Sequence, residues 1–417
     1  MHTPSDTDII VVGGGVIGTA IAWRVALAGR AVTLIDPGTD DKASLVAAGM
    51  LGPVSESVFG ERDLLNLNLH AVDRFPSFNS ELEAASGHRT GLRTEGTLAV
   101  AYDNDDLAAL DRLTEFRHSI GLAALRLTAR ECRRLEPFLA PSTRGGVLAA
   151  GDLSVDNRRY LAALRVAAER AGVTTITGTV TEIAEQDGGT GHGAHPRVAV
   201  RATAPASTVA VPDSGGPDSG GPDAAGPDTV PLDLTAGDVV VAAGWATGSI
   251  KGIPDAIGTA IRPVKGQLLR LRHPGNLPHI ATHTIRATVQ GRDIYLVPRE
   301  DGELVVGATQ EERGDRTVTA GAVHDLLRDA MTALPAIGEL TLAEASAGLR
   351  PGTTDNFPIL GPTGTGGPTS TGRLIIAAGH FRNGILLSAV TADAVAALLA
   401  GQAPHQAWAP FVPGRLA

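Results

Sequence analysis

Glycines at positions 13, 15 and 18, with a spare glycine at 14 and an aspartate at 36, have the types and spacing to hold a dinucleotide. Gly13 permits a tight turn, Gly15 lets the backbone approach a pyrophosphate, and Gly18 lets a helix pack closely on its strand. The first-turn amides of that helix, at Val16 and Ile17, would face the phosphates together with the helix dipole. Asp36 would accept hydrogen bonds from an adenosine ribose; an arginine there would point to a 2′-phosphate instead. An ordinary glycine-rich turn could carry the same glycines. This motif by itself leaves NAD and FAD open.

Such residues need a frame, and the chain supplies one. Residues 8–12 form a short apolar, β-branched run, as a strand buried on both faces should. Ile17, Ile21, Val25 and Ala28 recur at helical spacing, and Gly29 closes that helix. Residues 31–35 read as a second buried strand that Asp36 ends. Residues 238–243, followed by Gly244, give a third, and 373–378 a further one leading into an apolar helix over 385–399. Helices are expected over 63–78, 105–120 and 319–334, with another capped by Asp156 and running to Ala171. Thr128 and Glu131 make a capping box for a short helix ending before Pro137. Strands are expected over 92–101 and 173–176, and an antiparallel set over 264–271, 294–297 and 304–306. The fold class is therefore α/β, a Rossmann-like domain assembled from separated pieces with a mostly antiparallel sheet inserted. The dinucleotide domain is expected over 1–92, 146–245 and 347–417, and the second domain over 93–145 and 246–346.

Composition narrows the function. A chain of 417 residues exceeds one ordinary core, so two domains or an interleaved pair are expected. The net charge of -10 offers no electrostatic footprint for nucleic acid or an acidic membrane surface. The single cysteine, Cys132, excludes an intramolecular disulfide and a cysteine-based zinc site. No H-x-x-x-H or H-E-x-x-H ligand spacing and no G-x-S-x-G elbow is read, so no metal and no serine nucleophile are expected. No apolar run is read as reaching the roughly 18 residues of a membrane span. The start, MHTPSDTD, lacks the basic and apolar regions of a signal peptide. A cytoplasmic protein is expected.

Residues 205–231 change character, for Gly-Pro-Asp recurs at 216–218, 221–223 and 226–228 with almost nothing to bury. That is the composition of a flexible insertion. Runs at 198–200 and 238–242 on either side read as strands, so an enlarged turn inside one domain is expected rather than a linker.

Two arginines complete the chemistry. Arg350 in Gly-Leu-Arg-Pro-Gly and Arg382 in His-Phe-Arg-Asn-Gly bring guanidinium forks that match carboxylates. Arg350 is read as part of a turn. Tyr295, one of three tyrosines, is read in a strand, where an inward phenol could meet a carboxylate or line its pocket. A helix beginning near Asn383 would present its N-terminus to an anion. Each has a plainer reading: an arginine paired with a surface acid, a packed aromatic, a core helix, and core filling for Met50.

The stretches ASLVAAGMLGP (43–53), YLVPRE (295–300), GLRPGTTDNFPILGP (348–362) and AAGHFRNGILLSAVTA (377–392) follow the glycine loop in order. In this the chain resembles the D-amino-acid oxidase superfamily of flavoproteins, most nearly its glycine oxidases of thiamine biosynthesis. The resemblance covers nearly all of the chain and omits only the Gly-Pro-Asp insertion. It implies FAD, held without a covalent bond because Cys132 lies far from where related sarcosine oxidases attach theirs. It implies cofactor contacts from the glycine loop and Asp36, and from Ala48, Gly49, Met50, Val180 and Gly244. His380, Arg382, Asn383, Gly384 and Ile385, and Arg350 at the substrate boundary, complete the implied cofactor set. Arg350 is implied to bind the substrate α-carboxylate, Tyr295 to line the pocket, and Met50 to lie near the ring. Gln310 stands where some members carry an apolar residue, which leaves the preferred side chain or N-substituent open.

The implied reaction oxidises glycine, or a small N-methyl or D-amino acid, to an imine that hydrolyses to a 2-oxo acid and ammonia. Dioxygen is then reduced to peroxide. The flavin supplies the chemistry, so no side-chain base is assigned. The implied partners are a small amino acid, dioxygen and further copies of the chain, a tetramer in the family's pattern. A sarcosine or D-amino-acid oxidase, an FAD dehydrogenase feeding a quinone, and a non-catalytic flavin binder stand as rivals.

Overall fold

A parallel sheet carries the glycine loop. In the computed structural model, which describes residues 7–40, 42–186, 197–205, 229–275, 279–364 and 373–416, this sheet has six strands. Their order is Ile359–Pro362, Leu374–Ala378, Asp238–Val241, Ile9–Val12, Val32–Asp36 and Thr174–Thr177. Only the edge strand Ile359–Pro362 runs antiparallel. Ile9–Val12 is buried throughout. Ile9 and Val11 pack among the helices Val16–Leu27, Arg62–Ser86, Asn157–Arg170 and Gly384–Leu399. Ile10 and Val12 pack toward the small sheet of Thr179–Gln186, Arg197–Pro205 and Thr229–Ala236. Two covered faces explain why this strand shows no polar alternation.

The helix Gly384–Leu399 is apolar all round because it is enclosed by Val16–Leu27 and Arg62–Ser86. One expectation needs correcting at this point. Phe381–Leu399, 19 residues at mean hydropathy 1.3, is long and apolar enough to cross a membrane. Its apolarity is that of a core helix, since 67% of it is buried. The helix Arg62–Ser86 also outruns its expected end at Phe78. It keeps Asn79, Leu82 and Ser86 buried and closes on Gly87 in the left-handed region.

The second sheet has eight strands. Their order is Thr341–Gly352, Arg262–Arg272, Glu303–Gly307, Arg292–Pro298, Thr284–Val289, Thr97–Ala101, Gly145–Ala149 and Leu125–Thr128. Neighbours are antiparallel except Thr284–Val289 beside Thr97–Ala101. The expected boundaries at 145/146 and 346/347 cut through Gly145–Ala149 and Thr341–Gly352, which lie wholly in this sheet. Arg350 is not in a turn but on that last strand, paired with Val264. Gly348, Pro351 and Gly352 read as turn residues, yet on an edge strand a proline costs no ladder bond.

Around the insertion the structure adds a strand that was not expected, Thr229–Ala236, which takes up the end of the segment. Arg197–Pro205 pairs with Thr229–Ala236, and not with 238–242, so Pro205 sits opposite Thr229 in the ladder. Residues 206–228 of the expected insertion lie outside the described residues.

Candidate active site

A cavity of about 780 Å³ is lined by residues of both large sheets, well within the range of roughly 300–1,000 Å³ for ligand sites. At one end the backbone dominates. Gly13 has φ +105°, and a Cβ there would lie 2.5 Å from the Ala242 carbonyl oxygen, so only glycine fits. Gly13, Gly15, Val16 and Ile17 line this end. Val16 and Ile17 begin one helix, and Gly384 and Ile385 begin another. Both pairs line the cavity, so two helix N-termini from opposite ends of the chain open on it.

Asp36 is engaged more fully than the spacing suggests. Its Oδ2 accepts the Gly14 amide at 2.6 Å and its Oδ1 the Gly38 amide at 2.9 Å. The Lys42 ammonium lies 2.9 Å from Oδ1. The carboxylate therefore braces the glycine loop in addition to lining the site. Ala48, Gly49, Val180 and Gly244 line the cavity. Two expected residues do not. Gly18 has no room for a Cβ, which would meet the Gly13 carbonyl at 1.8 Å, so it serves helix–strand packing. Asn383 is buried beneath the start of the C-terminal helix.

His380 lines the cavity but its Nε2 lies 3.0 Å from the Thr391 hydroxyl. Burial pushes its pKa down to about 3, so the imidazole is neutral. Arg382 is exposed, with its Nη2 3.8 Å from Glu61 Oε2. Cys132 is buried in the helix Ala129–Leu135 and does not line the cavity.

At the other end side chains dominate, and strand register brings them together. Arg286 lies opposite Tyr295, Tyr295 opposite Gly307, and Gly307 opposite Leu268, one row across four strands. A Cβ on Gly307 would lie 2.5 Å from the Tyr295 ring, so the phenol rests where a side chain is missing. Arg350 repeats this over Gly266, whose Cβ would meet Nη1 at 2.3 Å. Arg350 Nη1 donates to the Thr309 carbonyl at 3.2 Å and weakly to that of Lys265 at 3.5 Å. Among the described residues it has no carboxylate partner. Burial raises the Tyr295 pKa, the Arg350 charge opposes that rise, and Glu56 adds to it, so the phenol stays protonated. Met50 packs with Tyr295, Val46, Ala48 and Leu268 in one apolar cluster. Gln310 lines the cavity and is exposed.

Sequence reasoning missed Gly266, Gly307, Glu56 and Arg286. The two glycines did carry a signal, since glycine inside a strand marks a close approach. Glu56 and Arg286 are joined by a 2.8 Å ion pair, which no local spacing announces. The reading that no H-x-x-x-H spacing occurs needs correcting, for His279 and His283 have it, but they lie on irregular chain and not on one helical face. His283 is held 2.7 Å from Glu136, and His279 stacks on His273. Among the described residues no metal-holding cluster of histidine, cysteine and acid occurs.

A glycine loop at the carboxyl edge of a parallel sheet, opening toward a side-chain pocket on a second sheet, defines a dinucleotide-dependent oxidoreductase. The backbone cradle, the two helix N-termini and the volume of the cavity all fit FAD. Residues 8–398 match the family described as FAD dependent oxidoreductase (DAO), and the chain belongs to that family, with FAD as cofactor. A glycine oxidase of Geobacillus kaustophilus (strain HTA426) is 32% identical over 412 residues, covering 97% of this chain and 96% of its own. A bifunctional protein ThiO/ThiG of Trichormus variabilis is 29% identical over 398 residues, 95% of this chain but 53% of its own. The chain thus spans about half the length of the ThiO/ThiG relatives it matches. The crystal structure of the Geobacillus kaustophilus glycine oxidase matches at TM-score 0.80 and 29% identity, covering 97% of this chain and 98% of that one.

Proposed function

We propose that the protein oxidises glycine, and more slowly small N-methyl or D-amino acids, to the imine, with dioxygen reduced to hydrogen peroxide. One observation carries the reading. Arg350 lines the cavity with its guanidinium met by two backbone carbonyls and the Tyr295 phenol, and by no carboxylate among the described residues. Such a fork suits a carboxylate bidentately. Glycine offers a carboxylate, an amine and no side chain, so orientation must come from a few polar contacts. Arg350 and Tyr295 fix the carboxylate and thereby aim the α-carbon. Met50 and Leu268 supply the apolar wall that keeps water away.

Bound FAD supplies the acceptor for the α-hydride, and dioxygen takes the electrons onward. No side chain is assigned as base. Glu56 is paired with Arg286 and His380 is held by Thr391, so a substrate amine that arrives neutral needs neither. The imine hydrolyses to the 2-oxo acid and ammonia, or serves the thiazole of thiamine. The names glycine oxidase and ThiO/ThiG among the relatives support this reading. The seat of Cys132 away from the cavity supports non-covalent FAD, which acid precipitation would release into the supernatant. A cytoplasmic homo-oligomer, a tetramer in the family's pattern, goes with it.

The test mixes the holoprotein with glycine, sarcosine or D-alanine without oxygen and follows flavin bleaching. Glycine should bleach it fastest, and air should restore the colour with peroxide. No bleaching by any of the three overturns the reading, while reoxidation by a quinone alone makes the protein a dehydrogenase.

A further inference from the structure

Glu56 and Arg286 line the same cavity as Arg350. The pair is short, 2.8 Å, and its side chains are only 13% and 25% exposed. What sets it apart is how firmly Glu56 is held. The amides of Val54 and Ser55 donate to the two Asp152 oxygens, each at 3.1 Å. Buried Arg117 donates to the Ser55 carbonyl at 2.7 Å and the Ser57 hydroxyl at 3.1 Å. Ser57 in turn donates to the Val54 carbonyl at 2.8 Å, and the Glu56 amide to the Gly52 carbonyl at 2.9 Å. Both flanks of Glu56 are thus clamped from Asp152 and the helix Asn104–Ser119. Arg286 stands opposite Tyr295 on the eight-stranded sheet.

Arg286 and Arg350 therefore both face the cavity, and they differ in what already answers their charge. Arg350 meets carbonyls, whereas a carboxylate carried on a firmly held backbone already answers Arg286 at 2.8 Å. We propose that Glu56 masks Arg286 and so selects substrates with one carboxylate against those with two. The proposal rests on the amino-acid oxidase reading and names the substrate class of that site, monocarboxylic amino acids. A second carboxylate would meet the Glu56 anion where it needs the Arg286 cation, and specificity built on such repulsion is a difference of affinities. Asp293, which also lines the cavity, adds to that repulsion.

The test uses acetate and malonate, one carboxylate against two, titrated into the holoprotein and read from the flavin spectrum. Native protein should bind malonate no tighter than acetate. Glu56→Gln removes the charge and keeps the shape, so malonate should gain at least about tenfold over acetate. Adding Arg286→Gln to that variant should cancel the gain. A malonate-to-acetate ratio in Glu56→Gln within about threefold of native, or a gain that survives loss of Arg286, overturns the proposal. Should Glu56→Gln fail to hold FAD, Arg286→Gln alone decides. It leaves Glu56 uncompensated, so malonate should weaken at least about tenfold more than acetate, and equal weakening overturns the mask. Neither ligand carries an oxidisable amine, so these ratios stand apart from glycine bleaching, which tests the oxidase reading by itself.

Discussion

The two ends of the cavity are made of different material. At the cofactor end the chain offers mainly backbone: glycine amides, two helix N-termini, and an aspartate that braces the loop. At the substrate end it offers side chains from separate strands, set by register over glycines that make room for them. Errors at the first end should therefore cost the cofactor, and errors at the second should cost turnover while the cofactor stays. The largest expected effect lies at the first. Gly18→Val places a side chain where even a Cβ would meet the Gly13 carbonyl at 1.8 Å. The helix must lift from the strand, and the protein should be isolated without yellow colour or not at all. A yellow, folded Gly18→Val would break the comparison.

Arg350 tests the other end. Truncating one member of a buried charge pair costs about 2–5 kcal/mol, so Arg350→Ala should lose at least about a hundredfold in kcat/KM for glycine. Its flavin spectrum should be unchanged. Arg350→Lys should fall between, because a point charge cannot reproduce the fork. Glycine oxidation within about threefold of native would move the carboxylate site elsewhere, with Arg382 the next candidate.

A smaller effect sharpens the contrast. Gly307→Ala adds one methyl group 2.5 Å from the Tyr295 ring, which must move aside. Misplacement by about 1 Å can cost up to roughly a hundredfold; since the ring can tilt, a loss of about tenfold in kcat/KM is expected, with FAD retained. Steady-state kinetics beside the flavin content of each preparation separate the two outcomes.

The same contrast decides what could be read in advance. At the cofactor end the second helix N-terminus, at Gly384, comes from the other end of the chain. The first half of that end, residues 8–36, is contiguous chain, so strand, glycines, helix, second strand and Asp36 are legible in the sequence. Even there Asp36 was only half understood, since its bonds to Gly14 and Gly38 depend on how the loop folds back. The substrate end joins residues far apart in sequence. Resemblance supplied Arg350, Tyr295 and Met50, and physics alone left them with plainer alternatives. Gly348, Pro351 and Gly352 signal a turn locally and so place Arg350 in one, and only the edge position of the strand overrides that signal. Arg286 and Glu56 are invisible to any spacing rule, since what relates them is a ladder register and a clamp from Asp152 and Arg117.

The smallest expected effect lies away from both ends. Pro205 and Thr229 are ladder partners in the three-stranded sheet, so the chain leaves and re-enters that sheet at neighbouring points. Residues 206–228 join them with serines, glycines, prolines and aspartates and few apolar groups, a composition with little to contribute to a core. A short turn closes such a ladder as well, since two-residue loops connect antiparallel strands directly. Closing a long loop costs only logarithmically more than closing a short one, so shortening it should stabilise the fold by about 1–2 kcal/mol at most. The small sheet buries Val180, Val198, Val200 and Leu234 against Ile10 and Val12, and those contacts survive the replacement. Exchanging residues 206–228 for an Asn-Gly turn should leave flavin content and glycine turnover within about twofold of native, with an equal or slightly higher Tm. Loss of FAD from that variant would show that the three-stranded sheet needs the segment to keep its place behind the glycine loop.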